Sequence, residues 1–352
     1  MNYTFLRLMK GWKMALIHEI EKLLKLNNIW NDNFQMRLNR NIRGQSISYF
    51  IYDDTDKPIY IAKFFDYLKD VSIPESINVA ECKNVDELVE QLAEADDFIG
   101  DIDMTSDLLY YYKRSFIRYV QVCKEEDTGF PKIFAIDENI QHGQRFYGLL
   151  IEQAINGITL EEYMKTPNFI DAKDDFAIYF LWNMSLIIEK FVKYGIVHRD
   201  LSPDNIMVSN KEFIAIDPGM VKIIGRNSTE IGYIMGKRSY ASPEQYYGNA
   251  VNATFTSDLY SIGLIAFEIV TDINPLKYYI DKNSNKPHEE LLSKYDRELE
   301  DIFFTNVDDS ERNQLLFIII HKMLQVENTH RFDDITSLQE AIKVLRGGDG
   351  ND

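Results

Sequence analysis

Gly195-Ile196-Val197-His198-Arg199-Asp200-Leu201-Ser202-Pro203-Asp204-Asn205-Ile206 is the stretch on which the rest of the chain turns. It follows Asp175 to Tyr194, whose apolar residues recur at helical spacing. Gly195 stops that helix, since glycine enters the left-handed conformation past a helix end without steric cost. Basic and acidic side chains then crowd into three positions, His198-Arg199-Asp200. Downstream, Phe213-Ile214-Ala215-Ile216 is rich in β-formers and runs into Asp217-Pro218-Gly219.

Working outward, Phe255 to Val270 and Ser310 to Leu324 read as further buried helices. Upstream the pattern is strand-like. Ile47 to Tyr52 and Ile59 to Phe64 flank the turn Asp53-Asp54-Thr55-Asp56-Lys57-Pro58, and Phe146 to Glu152 is a later strand before the turn Asn156-Gly157. Ser106 to Cys123 is helical in pattern. The expectation is an α+β chain: an N-terminal extension over 1–33, a β-rich lobe over 34–154, a helical lobe over 155–346 and a loose tail over 347–352. Lys13 to Leu26 sets Leu16, Ile20, Leu23 and Leu24 on one helical face. Such a helix docks on the protein or lies on a membrane surface; its mixed charge favours docking.

The 352 residues carry 38 basic and 56 acidic side chains, a net charge of −18. That excess argues against broad binding to nucleic acid or anionic membrane. With 21 Phe, 21 Tyr and only nine Pro, fibrous and disordered classes are excluded. Cys82 and Cys123 form no C-x-x-C pair and suit reduced thiols in a cytoplasmic protein. No apolar run is long enough to span a membrane. Most of the charge has one address. Between Asp70 and Asp107 stand twelve acids against the single base Lys83, which reads as an acidic, partly helical insertion over 70–107. It would steer a basic protein partner, cover a nucleotide site, or serve as a solvated surface.

The opening stretch closely resembles the catalytic loop of eukaryotic-type (Hanks-type) protein kinases, H-R-D-L-x-x-x-N. Its four polar fixed residues alone, His198, Arg199, Asp200 and Asn205, would arise by chance in roughly one sequence of this length in 500. Other motifs follow in family order. Asp217-Pro218-Gly219 stands at D-F-G, Ser242-Pro243-Glu244 at A-P-E, and Ala62-Lys63 ends a strand like V-A-I-K. Asp258 opens a buried helix as in the family, and Arg331 matches the arginine paired there with the A-P-E glutamate. Ala241 to Gln245, A-S-P-E-Q, is similar to bacterial members, so the resemblance is to a bacterial-like serine/threonine kinase.

The resemblance implies a bilobal fold and a protein kinase that uses ATP and Mg²⁺ on serine or threonine of protein substrates, itself included. Asp200 would accept or orient the proton of the attacking hydroxyl. Asn205 and Asp217 would hold the metal, and Lys63 would contact the α- and β-phosphates. Glu152 to Ala154 would form the adenine-binding hinge, with Ile151 gating the pocket behind it. Gly44 would belong to the loop over the phosphates. Arg199 would receive a phosphorylated activation-loop residue, Ser228 or Thr229 being nearest, while His198 would be structural.

Four departures stand out. Only Gly44 remains of G-x-G-x-x-G, with Arg37, Arg40 and Arg43 nearby as substitute phosphate charge or a solvated basic edge. Tyr119 occupies the position of the glutamate that the family sets against the lysine; Glu87, Glu90, Asp103 or Asp107 are candidate substitutes. The family's lysine two residues after the catalytic aspartate is Ser202, while Lys237 follows Gly236 where the family has threonine. The two changes read as one: Lys237 returns the charge, with Ser202 as its hydrogen-bond partner. Pro218 replaces phenylalanine and stiffens its loop. Two alternatives accompany the kinase: a nucleotide-sensing pseudokinase, suggested by the poor glycine loop and Tyr119, and a small-molecule or lipid kinase on the same fold.

Overall fold

Strand alternation in the first part of the chain builds one antiparallel sheet with a helix on each face. The structure, a computed structural model, describes residues 3–39, 46–69, 71, 73–74, 76–94, 102–125, 127–169, 173–210, 212–225, 236–294 and 298–347. The chain divides into two units, 1–126 with 131–156 and 127–130 with 157–352.

In the first unit, helix α1 (Tyr3–Leu26) precedes strands β1 (Gln35–Leu38), β2 (Ser46–Tyr52) and β3 (Pro58–Asp66). Helices α2 (Val85–Glu94) and α3 (Ile102–Lys124) follow, then β4 (Ile133–His142) and β5 (Arg145–Gln153). The strand order is β1-β2-β3-β5-β4. The β2–β3 turn forms because Asp53 Oδ1 accepts the N–H groups of Thr55 and Lys57, and Asp56 takes a left-handed φ of 59°.

β3 sorts its side chains by parity. Ala62 and Phe64 face α1, where Leu16, Ile20, Leu23 and Leu24 close a buried cluster with Tyr49, Ile51 and Ile151. Each such side chain contributes about 1.5–3 kcal/mol on burial. The predicted amphipathic face therefore docks on the sheet, and the 1–33 segment belongs to the first unit. Lys63 and Phe65 face the other way. Phe65 meets Phe116 and Tyr119 of α3 edge-on, with ring centroids 5.3 and 5.5 Å apart. Gly148, opposite Phe65, has no side chain there because a Cβ would lie 2.8 Å from the Phe116 ring. The acidic stretch is not one element. It contains α2, whose Val85, Leu88 and Leu92 are buried, and the first turns of α3.

The second unit opens with β6 (Ile158–Thr159), α4 (Leu160–Tyr163) and α5 (Lys173–Lys193). Strands β7 (Ile196–Val197), β8 (Ile206–Ser209), β9 (Glu212–Ala215) and β10 (Lys222–Ile223) follow, pairing as β6-β8-β9 and β10-β7. The remainder is helical: α6 (Pro243–Tyr246), α7 (Phe255–Thr271), α8 (Pro275–Asp281), α9 (Pro287–Lys294), α10 (Glu300–Asn306), α11 (Glu311–Met323) and α12 (Ile335–Leu345). α7 is buried almost all round and packs against α5, α10 and α11. The architecture is thus α+β, a β-rich unit followed by a helical one. Among the described residues no single helix is long and apolar enough to cross a membrane.

Candidate active site

The loop after β7 is shaped by a buried acid. Asp258 of α7 accepts the backbone N–H groups of His198 and Arg199, each at 2.8 Å, and its burial pushes it up to about 7. Arg199 takes a left-handed φ of 66°, which costs about 1–2 kcal/mol outside glycine. Its own guanidinium helps hold that strain, donating from Nε to Met220 O (2.7 Å) and from Nη2 to Val221 O (3.1 Å). Within the described residues the buried Arg199 side chain thus meets the carbonyls of the turn after Asp217. Ser228 and Thr229 lie outside the described residues. His198 is fully buried with Nε2 3.1 Å from Ile216 O, and burial lowers it to about 4, so it stays neutral at physiological pH.

Asp200 comes next and is fixed on both oxygens. Oδ1 accepts the Lys237 N–H (2.8 Å), and Oδ2 accepts from Asn205 Nδ2 (2.9 Å), which also donates to Asp200 O (2.8 Å). Burial, reinforced by the charge of Asp217, pushes Asp200 up to about 7. A carboxylate poised there suits proton acceptance near neutral pH. Asn205 spends its amide N–H groups on Asp200, so its Oδ1 is the atom turned away. That oxygen and the Asp217 carboxylate are the hard donors Mg²⁺ prefers. Asp217 sits at a left-handed φ of 59°, and Pro218 begins the 3₁₀ turn that follows. Asp200 and Asp217 repel, a conflict a cation would relieve. Among the described residues no three His, Cys, Asp or Glu side chains gather into a metal site, so a divalent ion would complete its shell from phosphate and water.

Lys237 faces the same loop. Its Nζ donates to Asp204 Oδ1 at 2.8 Å, and Ser202 Oγ donates to that oxygen, also at 2.8 Å. The expected Ser202–Lys237 bond is corrected: the two meet through Asp204. Burial would raise Asp204, but the bonds from Lys237 and Ser202 outweigh it and hold the carboxyl below its ordinary value. Gly236 permits this approach. It has φ 82°, and a Cβ there would lie 2.4 Å from Arg199 O. Buried Gln245 clamps that carbonyl from the other side, Nε2 to Arg199 O at 2.6 Å. Behind it Arg331 forks onto Glu244 at 2.9 and 3.1 Å.

In the first unit, Lys63 pairs across β3–β5 with Leu150, so Glu152, two residues on, shares its face. Lys63 Nζ lies 2.6 Å from Glu152 Oε1 and donates to Tyr119 Oη at 2.7 Å; Tyr119 in turn donates to Glu152 Oε2 at 2.7 Å. Tyr119 thus meets Lys63 from the expected helix. The neutralising acid is Glu152 of the strand. Glu87 accepts the Lys83 N–H instead, and the side chains of Asp103 and Asp107 lie outside the described residues.

Two further expectations are corrected. Ile151 faces the α1 cluster, away from Lys63, so it does not gate a space beside that lysine; Glu152 holds the position. The N–H groups of Gln153 and Ala154 are donated to Lys132 O (2.8 Å) and Ile59 O (3.1 Å), so neither is offered to a base. Gly44, Arg40 and Arg43 lie outside the described residues; Arg37 pairs with Asp56 at 2.5 Å. Sequence reasoning missed the roles of Glu152, Asp204 and Gln245. For Glu152 a signal existed, a lone charge ending the apolar run Leu149-Leu150-Ile151.

Comparison with known proteins points the same way. The family model described as "Protein kinase domain" matches residues 109–343. The probable serine/threonine-protein kinase PknB of Lactococcus lactis is 35% identical over 147 residues, covering 41% of this chain and 22% of that protein. Serine/threonine-protein kinase D of Synechocystis is 25% identical over 230 residues, 63% of this chain and 39% of that one. PknB of Mycolicibacterium smegmatis is 30% identical over 130 residues, 36% of this chain and 20% of its own. The chain spans between 20% and 39% of the length of these curated relatives.

Proposed function

The chain belongs to the protein kinase family, and from that premise we propose that it transfers the γ-phosphate of ATP to serine or threonine hydroxyls of protein substrates, itself among them. The observation that carries this is Asp200, held on one oxygen by Asn205 and on the other by the Lys237 N–H. Asp200 orients the attacking hydroxyl and takes its proton as that oxygen bonds the γ-phosphorus and the bond to the β–γ bridging oxygen breaks, releasing ADP. Asn205 and Asp217 would hold Mg²⁺, which when bound supplies charge neutralisation to the phosphate oxygens. Lys237 sets a second positive charge beside Asp200 from the activation segment, and Lys63 supplies one to the α- and β-phosphates. Adenine would be met by backbone beyond Glu152, through the carbonyls of Gln153 or Ala154. The excess acid of 70–107 favours basic protein substrates.

The test is incubation with γ-labelled ATP and Mg²⁺, parent beside Asp200→Ala, on the protein itself and on a basic protein substrate. Label in the parent and none in Asp200→Ala is expected. Equal label in both, or none in either, would remove the proposal.

A further inference from the structure

We propose that Glu152, a residue of the sheet, is the positioning residue for Lys63, and that among the described side chains helix α3 brings the neutral hydroxyl of Tyr119 to the pair. The inference rests on the kinase reading and names a device within that site. β3 and β5 are hydrogen-bonded neighbours in continuous register from Tyr60↔Gln153 to Asp66↔Tyr147. Lys63 and Glu152 are therefore set by one sheet, whose strands cannot slide without breaking the ladder. The side chains of Lys63 and Glu152 are 12% and 3% exposed, so the pair is held largely out of water. Tyr119 bridges them with one accepted and one donated hydrogen bond, which fixes the geometry without adding charge. Rotation or sliding of α3 would remove a hydroxyl from Lys63 and leave its counter-ion in place. The counter-ion of the lysine is thus set by the sheet and not by the helix.

The experiment reads Lys63 directly. Nucleotide-free protein is treated with an amine-acetylating reagent at pH 8, and Lys63 modification is followed by mass spectrometry; KM for ATP is measured in parallel. Loss of a buried counter-ion lowers a lysine pKa, and each unit raises the reactive neutral fraction tenfold. Glu152→Gln is expected to raise the labelling rate about tenfold or more and KM by about 10- to 100-fold. Tyr119→Phe should change each by less than Glu152→Gln does, since a hydrogen bond is lost and the counter-ion stays. Glu87→Gln and Asp107→Asn should change neither.

Parent-like labelling of a folded Glu152→Gln would overturn the proposal. So would a larger effect from Tyr119→Phe, or a rise reproduced by Glu87→Gln or Asp107→Asn. Should Glu152→Gln not fold, Glu152→Asp retains the charge one methylene back and must label at an intermediate rate. A parent that transfers no phosphate would sink the kinase reading, while labelling of the nucleotide-free protein still judges the pair.

Discussion

Lys237→Thr should abolish most phosphotransfer while leaving the fold intact, and adding Ser202→Lys should bring the activity back. The structural stake is small. The Lys237–Asp204 pair is partly open to water, with side chains 44% and 22% exposed, and such pairs contribute about 0–1 kcal/mol. The bond that holds Asp200 comes from the Lys237 backbone N–H, which threonine retains. What is lost is the ammonium held on Asp204 in the catalytic loop, which the proposed function sets against the transferring phosphate. Removing one preorganised group of that kind costs about 2.7–4 kcal/mol, or about 100- to 1000-fold in kcat. Ser202 and Lys237 converge on one oxygen of Asp204, so a lysine at either position places its ammonium against the same carboxylate. The assay is initial-rate transfer of labelled phosphate for parent, Lys237→Thr and Lys237→Thr with Ser202→Lys, beside urea unfolding of each. Recovery to within about tenfold of the parent is expected in the double variant. A Lys237→Thr enzyme as fast as the parent would refute the reasoning. So would a double variant that folds and binds nucleotide yet stays as slow as the single one.

Arg331→Met should destabilise the protein by about 3–5 kcal/mol, because it strands Glu244 in the interior after two hydrogen bonds are removed; a urea midpoint near the parent's would contradict this. Burial lowers His288 to about 4 from an ordinary 6.5, so its contribution to stability is complete above 6.5 and lost as pH falls toward 4. The stability gap between parent and His288→Gln should therefore shrink by about 2 kcal/mol between pH 7 and 5, and a gap independent of pH in urea titrations would dispose of the idea. Gly236→Ala, forced into a left-handed φ with its Cβ against Arg199 O, should lower kcat at least about tenfold by shifting Lys237 from Asp200; unchanged kcat would show that the loop relaxes freely.

How much of this was legible in the sequence depends on range. The catalytic loop, the strand before Asp217 and the helix after Ser257 announce themselves locally, because a cap, a glycine stop or a polar cluster suffices to mark them. Lys63 was legible for the same reason. Its partner was not, because that contact is fixed by register between strands 89 residues apart, and a shift of one residue exchanges Ile151 for Glu152 on the face of the lysine. The motif order set Glu152 in the hinge, and only the pairing Lys63↔Leu150 shows which way its side chain turns. The contacts of Arg199 are likewise set at a distance in sequence. Its charge is visible in sequence, but the carbonyls of Met220 and Val221 that absorb it are presented by a turn about twenty residues away. Ser202 and Lys237 stand out in sequence as a pair of changes, yet the carboxylate on which both converge, Asp204, carries no mark there.

The location of the acid on a strand also bears on how such a chain can diverge. A helix-borne glutamate must arrive in phase: inserting one residue before it turns the helix by about 100° and swings the carboxylate off its target. With Glu152 on β5, that demand on α3 falls away, and what remains is a hydroxyl and an apolar face. Additions upstream of α3 then become tolerable. The stretch where this chain has accumulated its most distinctive composition, 70–107, is the one whose length the ion pair no longer polices.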